Sequence, residues 1–207
     1  VPARTSGQPG DTAGITLFAV PGDTRGLQRT AYATFDGLRA AEIAFDGVRV
    51  PADHVLGEVD AGFAALDATI DDATLAVCAE AVGLMQALTN KTVEYAKQRE
   101  QFGVPIGTFQ ALQHRMVDML MSCEKAQSAL IWAVLARAGS GDDVKRAIST
   151  IKYLVGSVGQ KVGEEAVQIH GGMGVTWELD VAHQFKRLTA INRQFGNADW
   201  HLDRLAT

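Results

Sequence analysis

Two short stretches carry residue types that could do chemistry. In Arg99-Glu100-Gln101-Phe102-Gly103, a permanent cation stands beside an aromatic ring and a glycine. A guanidinium in such a place can meet a phosphate through paired N–H donors. In Gln168-Ile169-His170-Gly171-Gly172-Met173-Gly174, a side-chain amide precedes a run of glycines. Glycines let a ligand or another backbone approach closely, and free N–H groups suit an anion. Each stretch also has a plainer reading: a helix–helix connection with a solvated arginine, and a glycine-rich helix stop. The second is not a Rossmann turn, because its GGxG follows a helical pattern with no strand before it. His170 suits a polar contact or a helix-end cation, which the macrodipole favours. Asp71, Asp72, Glu164 and Glu165 read as solvated. No Ser/His/Asp constellation, Cys/His pair, paired carboxylate or metal spacing emerges.

The elements that must position these stretches fall into two regions, with a composition shift near residue 60. Before it, Gly14 to Val20, Leu27 to Phe35 and Ala41 to Val50 read as strands, the last anchored by Ile43, Phe45 and Val48 and stopped by Pro51. Three strands without closing partners make a poor free-standing sheet, so this region reads as part of a β domain. From Gly62 onward the period becomes helical. Residues 63–100 form one helix or two, with Leu66, Leu75, Val82, Met85, Leu88 and Val93 at helical spacings. Thr108 can cap a second helix carrying Phe109, Leu112, Met116, Met119, Cys123, Leu130 and Val134, which stops at Gly139-Ser140-Gly141. Asp142 or Asp143 can cap a third, with Val144, Ile148, Ile151, Val155, Val158, Val162 and Ile169 facing one way up to the glycine run. Shorter helices follow at roughly 178–190 and 193–206. The expected fold is mainly α, an antiparallel bundle behind a partial β domain.

Composition agrees with a folded chain. Hydrophobic residues make up 47% of the 207 residues and charged ones 21%, too apolar for a disordered chain. A net charge of −5 without any Lys/Arg cluster argues against nucleic-acid binding. Cys78 and Cys123 sit in apolar surroundings and read as small core hydrophobes. No apolar run reaches 18 residues and no signal peptide is visible, so the expected compartment is the cytoplasm.

Taken together and in order, three blocks resemble the acyl-CoA dehydrogenase family: residues 41–63, 79–119 and 164–188, which include AEIAFDGVRV, EYAKQREQFG and VQIHGGMG. The resemblance implies that residues 1–60 are the C-terminal part of the family's middle β domain and residues 61–207 its C-terminal four-helix bundle. The family's N-terminal helical domain and first half of the β domain have no counterpart here, and they carry much of the flavin and substrate pocket. The cofactor implied is FAD, held at a subunit interface where one subunit's bundle reaches the adenosine diphosphate part of a neighbour's flavin. The matching positions are Arg99, Phe102, Phe109, Gln110, Gln168, Gly171 and Gly172. The implied partners are an acyl-CoA substrate, electron-transfer flavoprotein as acceptor, and a homo-oligomer or a heterotetramer with a homologous subunit.

The reaction implied is α,β-dehydrogenation of an acyl-CoA thioester, which needs a carboxylate base. Many members carry it in a Tyr-Glu-Gly-Thr motif near the C-terminus. Here the corresponding residues are Phe195 and Gly196, so glycine stands in place of the glutamate. Other members place the base on the first bundle helix, where this chain has Ala73 and Thr74, with Asp72 the nearest weak candidate. Two readings follow: an active enzyme with a displaced base, or a base-less subunit paired with a base-bearing homologue. Bacterial members of the latter kind act on bulky or dicarboxylic acyl-CoAs such as steroid side chains. Two alternatives differ in kind: a non-catalytic helical interaction fragment without flavin, and an acyl-CoA oxidase.

Overall fold

The computed structural model describes residues 1–139 and 141–206. Ser140, in the expected stop of the second helix, lies outside them, as does the side chain of Asp142, one of the two expected caps. The chain divides into two compact units, Val1–Ile70 and Asp71–Thr207.

In the first unit, β1 (Pro2–Arg4), β2 (Ile15–Phe18) and β5 (Val55–Leu56) form an antiparallel sheet in the order β1-β2-β5. Its inner polar side chain, Thr16, is fully buried and satisfied: its hydroxyl meets that of Thr5 at 2.6 Å and accepts the Asp60 N–H at 2.8 Å. A second pair, β3 (Leu27–Ala33) and β4 (Arg39–Phe45), runs in register from Leu27 opposite Phe45 to Ala33 opposite Arg39. The expected third strand is displaced toward the N-terminus. The Asp46 N–H donates to the Gly26 carbonyl at 2.9 Å and Gly47 turns at φ 60°, so the strand ends before Val48. Tyr32, Ile43 and Phe45 remain exposed on this ribbon.

The second unit holds the bundle. One uninterrupted helix, α1 (Phe63–Gln98), begins in the first unit and runs on into it, followed by α2 (Gln110–Arg137), α3 (Asp142–His170), α4 (Asp180–Arg193) and α5 (Ala198–Ala206). The core joins Cys78, Val82, Met85 and Leu88 of α1 to Met119, Cys123, Ala126 and Ala133 of α2, Ile151, Val155 and Val162 of α3, and Leu188 and Ile191 of α4. On α3 the expected stripe is buried, with Val158 partly so. On α2 the stripe is corrected. Val134 is exposed, and Ala126 and Ala133 take the inner places, because small side chains let helices approach closely. Burial pushes the Cys123 thiol pKa up and that of Cys78 up to about 12.

Two expected caps are also corrected. Phe109 is the N-cap of α2, and the Thr108 hydroxyl donates instead to the Pro105 carbonyl at 2.7 Å, closing a 3-10 turn over Ile106–Thr108. Gly141, at φ 88°, caps α3 without a side chain. Surface ion pairs stitch the helices: Arg187 meets Glu80 at 2.5 and 2.7 Å, Arg115 pairs with Glu165, and Lys91 with Asp180. Glu165 is therefore paired rather than simply solvated. Among the described residues, no helix is long and apolar enough to cross a membrane, and no cluster of His, Cys, Asp and Glu could hold a metal.

Candidate functional site

The bundle end where α1 and α3 stop and α2 starts gathers both glycine-bearing stretches. The Arg99 N–H donates to the Tyr95 carbonyl at 2.8 Å, completing the last turn of α1. The chain then forms a minimal hairpin, β6 (Glu100–Gln101) and β7 (Val104–Pro105). Its tip residues Phe102 and Gly103 sit at φ 56° and 80°. Positive φ at both central residues is the mark of a type I′ turn, which suits the right-handed twist of a hairpin. The Ile106 N–H donates to the Arg99 carbonyl at 2.8 Å and shuts the loop. Phe102 is thereby held outward, 93% exposed, with its ring edge-on to Phe109 at 6.1 Å. Arg99 and Gln110 are exposed beside it.

On α3, Gln168 is exposed in the last turn and its carbonyl accepts the Gly171 N–H. That donor is engaged, so Gly171 contributes space rather than an N–H. It sits at φ 60°, and a Cβ on either Gly171 or Gly172 would meet nothing within 4 Å. Gly174 differs: a Cβ there would lie 2.6 Å from the Val167 carbonyl oxygen, so that glycine serves packing. His170 is 5% exposed; its Nδ1–H donates to the Ala166 carbonyl at 2.8 Å. Its ring stacks on Tyr95 at 4.3 Å, and the Tyr95 hydroxyl donates to the His170 carbonyl at 3.4 Å. The arrangement is an open, cation-bearing edge with exposed aromatic rings, an amide and unobstructed glycines. It can receive a flat or phosphorylated ligand.

The loop between α4 and α5 is built in the opposite way. Phe195 and Gly196 both sit at positive φ, 55° and 94°. A Cβ on Gly196 would come within 2.5 Å of Trp200 Cε3 and 3.2 Å of His201 Nε2. Beneath the loop, Lys152 is fully buried, and its Nζ donates to the Gly196 carbonyl at 2.6 Å and the Asn192 carbonyl at 3.1 Å. Burial holds its pKa below the usual lysine range. The His201 Nε2–H donates to the Phe195 carbonyl at 3.0 Å, and burial pushes this imidazole down to about 4. Lys152 was missed by motif reading, although its spacing carried a signal: four residues after Ile148 and three before Val155, it lies on the buried stripe.

The two aspartates of α1 part company. Asp72 is exposed and bound by Arg137 at 2.5 and 3.0 Å, which holds its carboxyl pKa below the usual range. Asp71, expected to be solvated, is only 7% exposed and lies 3.9 Å from Arg204 of α5. Arg204 also lies over the Trp200 ring at 5.5 Å.

A sequence model of the acyl-CoA dehydrogenase C-terminal domain matches residues 60–207. The chain belongs to the acyl-CoA dehydrogenase family. Among similar proteins, the probable acyl-CoA dehydrogenase YngJ of Bacillus subtilis is 34% identical over 175 residues, covering 83% of this chain and 46% of that protein. A variant of the Tcur3481–Tcur3483 steroid ACAD superposes with a TM-score of 0.82 at 32% identity, over 93% of this chain and 51% of that one. PigA, solved with FAD and proline, superposes with a TM-score of 0.86 at 26% identity, over 94% and 51%. The chain thus spans about half the length of the relatives it matches.

Proposed function

We propose that this chain is the bundle-bearing part of an FAD-dependent acyl-CoA dehydrogenase subunit, with residues 1–60 the end of the middle β domain and 61–207 the bundle domain. The carrying observation is the open bundle end, where the stretch bearing Arg99, Phe102, Phe109 and Gln110 and the stretch bearing Gln168, Gly171 and Gly172 are joined through the contact of Tyr95 with His170. Its donor set fits the adenosine diphosphate part of FAD. Arg99 offers a charge-assisted fork to the diphosphate, Gln168 and Gln110 offer amide donors, and the unobstructed glycines leave room for the cofactor. Phe102 and Phe109 offer apolar cover that a neighbouring subunit can complete. When bound, FAD accepts the β-hydride of the acyl thioester. This chain's own part is to hold the cofactor's charged end.

We further propose that this subunit supplies no general base and works beside a base-bearing homologue in a heteromer. Two features support this. Gly196, which stands where the resemblance expects the glutamate, faces the filled side of its loop, so a side chain there collides with Trp200. Asp72 is tied to Arg137 with its pKa lowered, the opposite of a base tuned toward neutral pH. The two-part designation of the Tcur3481–Tcur3483 steroid ACAD agrees with a paired subunit and points to a bulky acyl-CoA substrate. The exposed apolar residues Val117, Leu120, Ile131, Trp132 and Leu135 along α2 offer a surface for subunit association. Electron-transfer flavoprotein is the proposed acceptor.

The visible absorption spectrum of the intact assembly containing this chain tests the cofactor reading, and acyl-CoA-dependent dye reduction tests the base-less one. The expected result is a flavin spectrum, with turnover only when the homologous chain is present. A colourless assembly would contradict the first, and strong turnover by a homo-oligomer, abolished by Asp72→Asn, the second.

A further inference from the structure

The two stretches of the proposed FAD edge come from different helices, and one contact spans them. Tyr95 lies one turn before Arg99 and accepts its N–H; His170 directly precedes Gly171. Their rings lie 4.3 Å apart at an interplanar angle of 26°. Each ring is held from behind. The Nδ1–H bond to the Ala166 carbonyl fixes the imidazole, and the phenol hydroxyl reaches the backbone carbonyl that leads into the glycines. Stacking adds orientation to burial.

We infer that Tyr95 and His170 form a clamp that sets the Arg99 hairpin and the Gly171–Gly172 turn at a fixed spacing, so that the two bind the cofactor diphosphate as one unit. Both are positioning residues, acting through Arg99 and the glycine turn. The inference rests on the FAD-edge reading and adds to it the element that assembles the edge. Its ligand chemistry is that of a nucleoside diphosphate, which needs a cation and an open backbone at a set distance.

The test uses the intact assembly carrying Tyr95→Leu, His170→Ala, His170→Phe or the Tyr95→Leu/His170→Ala pair. FAD affinity and backbone amide exchange are read for each. Tyr95→Leu keeps apolar volume and removes the stack, and should weaken FAD binding about three- to tenfold. His170→Phe keeps a flat ring but loses the Nδ1–H bond to Ala166, and should weaken FAD binding less than His170→Ala does. The pair should lose less than the sum of the two single variants, because the ring stack is common to both. Exchange should rise together over residues 99–104 and 171–174 in Tyr95→Leu. Additive losses in the pair, His170→Phe as damaging as His170→Ala, or unchanged exchange at 171–174 in Tyr95→Leu would each overturn the clamp. A wild-type assembly without flavin would overturn the FAD-edge reading instead, while the exchange experiment still decides whether the clamp exists.

Discussion

The open end of the bundle and the loop between α4 and α5 solve the same local problem in opposite ways. Both place a glycine at positive φ next to a helix terminus. At Gly171 the space a side chain would take is empty, and Arg99, on the stretch joined to it through Tyr95 and His170, is exposed. At Gly196 that space is occupied by the Trp200 ring, and the neighbouring cation, Lys152, is fully buried on backbone carbonyls. An exposed cation beside empty space leaves room for a group outside the chain. A buried cation beside filled space is a fastening within it. Position at a family motif therefore does not by itself make a residue functional, because the surroundings decide.

Substitutions in the two regions should differ in effect. The largest effect is expected at Lys152. Lys152→Ala leaves a cavity and strips the Gly196 and Asn192 carbonyls of their donor, costing about 3–5 kcal/mol by urea unfolding. The pH dependence comes next. His201 has a folded pKa of about 4 against an ordinary 6.5, so below pH 6.5 the unfolded chain takes up a proton that the folded chain refuses. Its contribution leaves stability intact above pH 6.5 and lowers it by up to about 3 kcal/mol as the pH falls to 4. Urea midpoints across that window should show this slope, and His201→Asn should lack it. Gly196→Ala should cost about 2–3 kcal/mol, partly recovered in a Trp200→Ala background. At the other end of the scale, Gly172→Ala enters open space at ordinary φ and should change stability by less than about 0.5 kcal/mol. A stability loss at Gly172 equal to that at Gly196 would erase the distinction.

Much of the fold was legible because helical periodicity survives in sequence. The α3 stripe from Val144 to Ile169 is apolar at nearly every inward position, so both its length and its face could be read. On α2 the inner places at Ala126 and Ala133 are filled by side chains too small to register as anchors. The short strands β1 and β5 were not legible, since two or three residues carry no period and are strands only by virtue of their partners. Of the adjacent Asp71 and Asp72, the one that turns inward is the one that faces Arg204 of α5, over a hundred residues away in sequence. At the candidate site, residue types were visible in the motifs. The stack of Tyr95 on His170, the outward turn of Phe102 and the engaged N–H of Gly171 depend on chain geometry that no motif states.

If the open bundle end holds the diphosphate of FAD, Arg99→Ala must loosen the cofactor. Equilibrium FAD binding to the intact assembly, followed by flavin fluorescence with far-UV circular dichroism in parallel, should show affinity about 10- to 100-fold weaker with unchanged helicity, as expected for losing a charge-assisted hydrogen bond. Equal FAD affinity in the variant and the wild type would contradict the assignment of this edge to the cofactor.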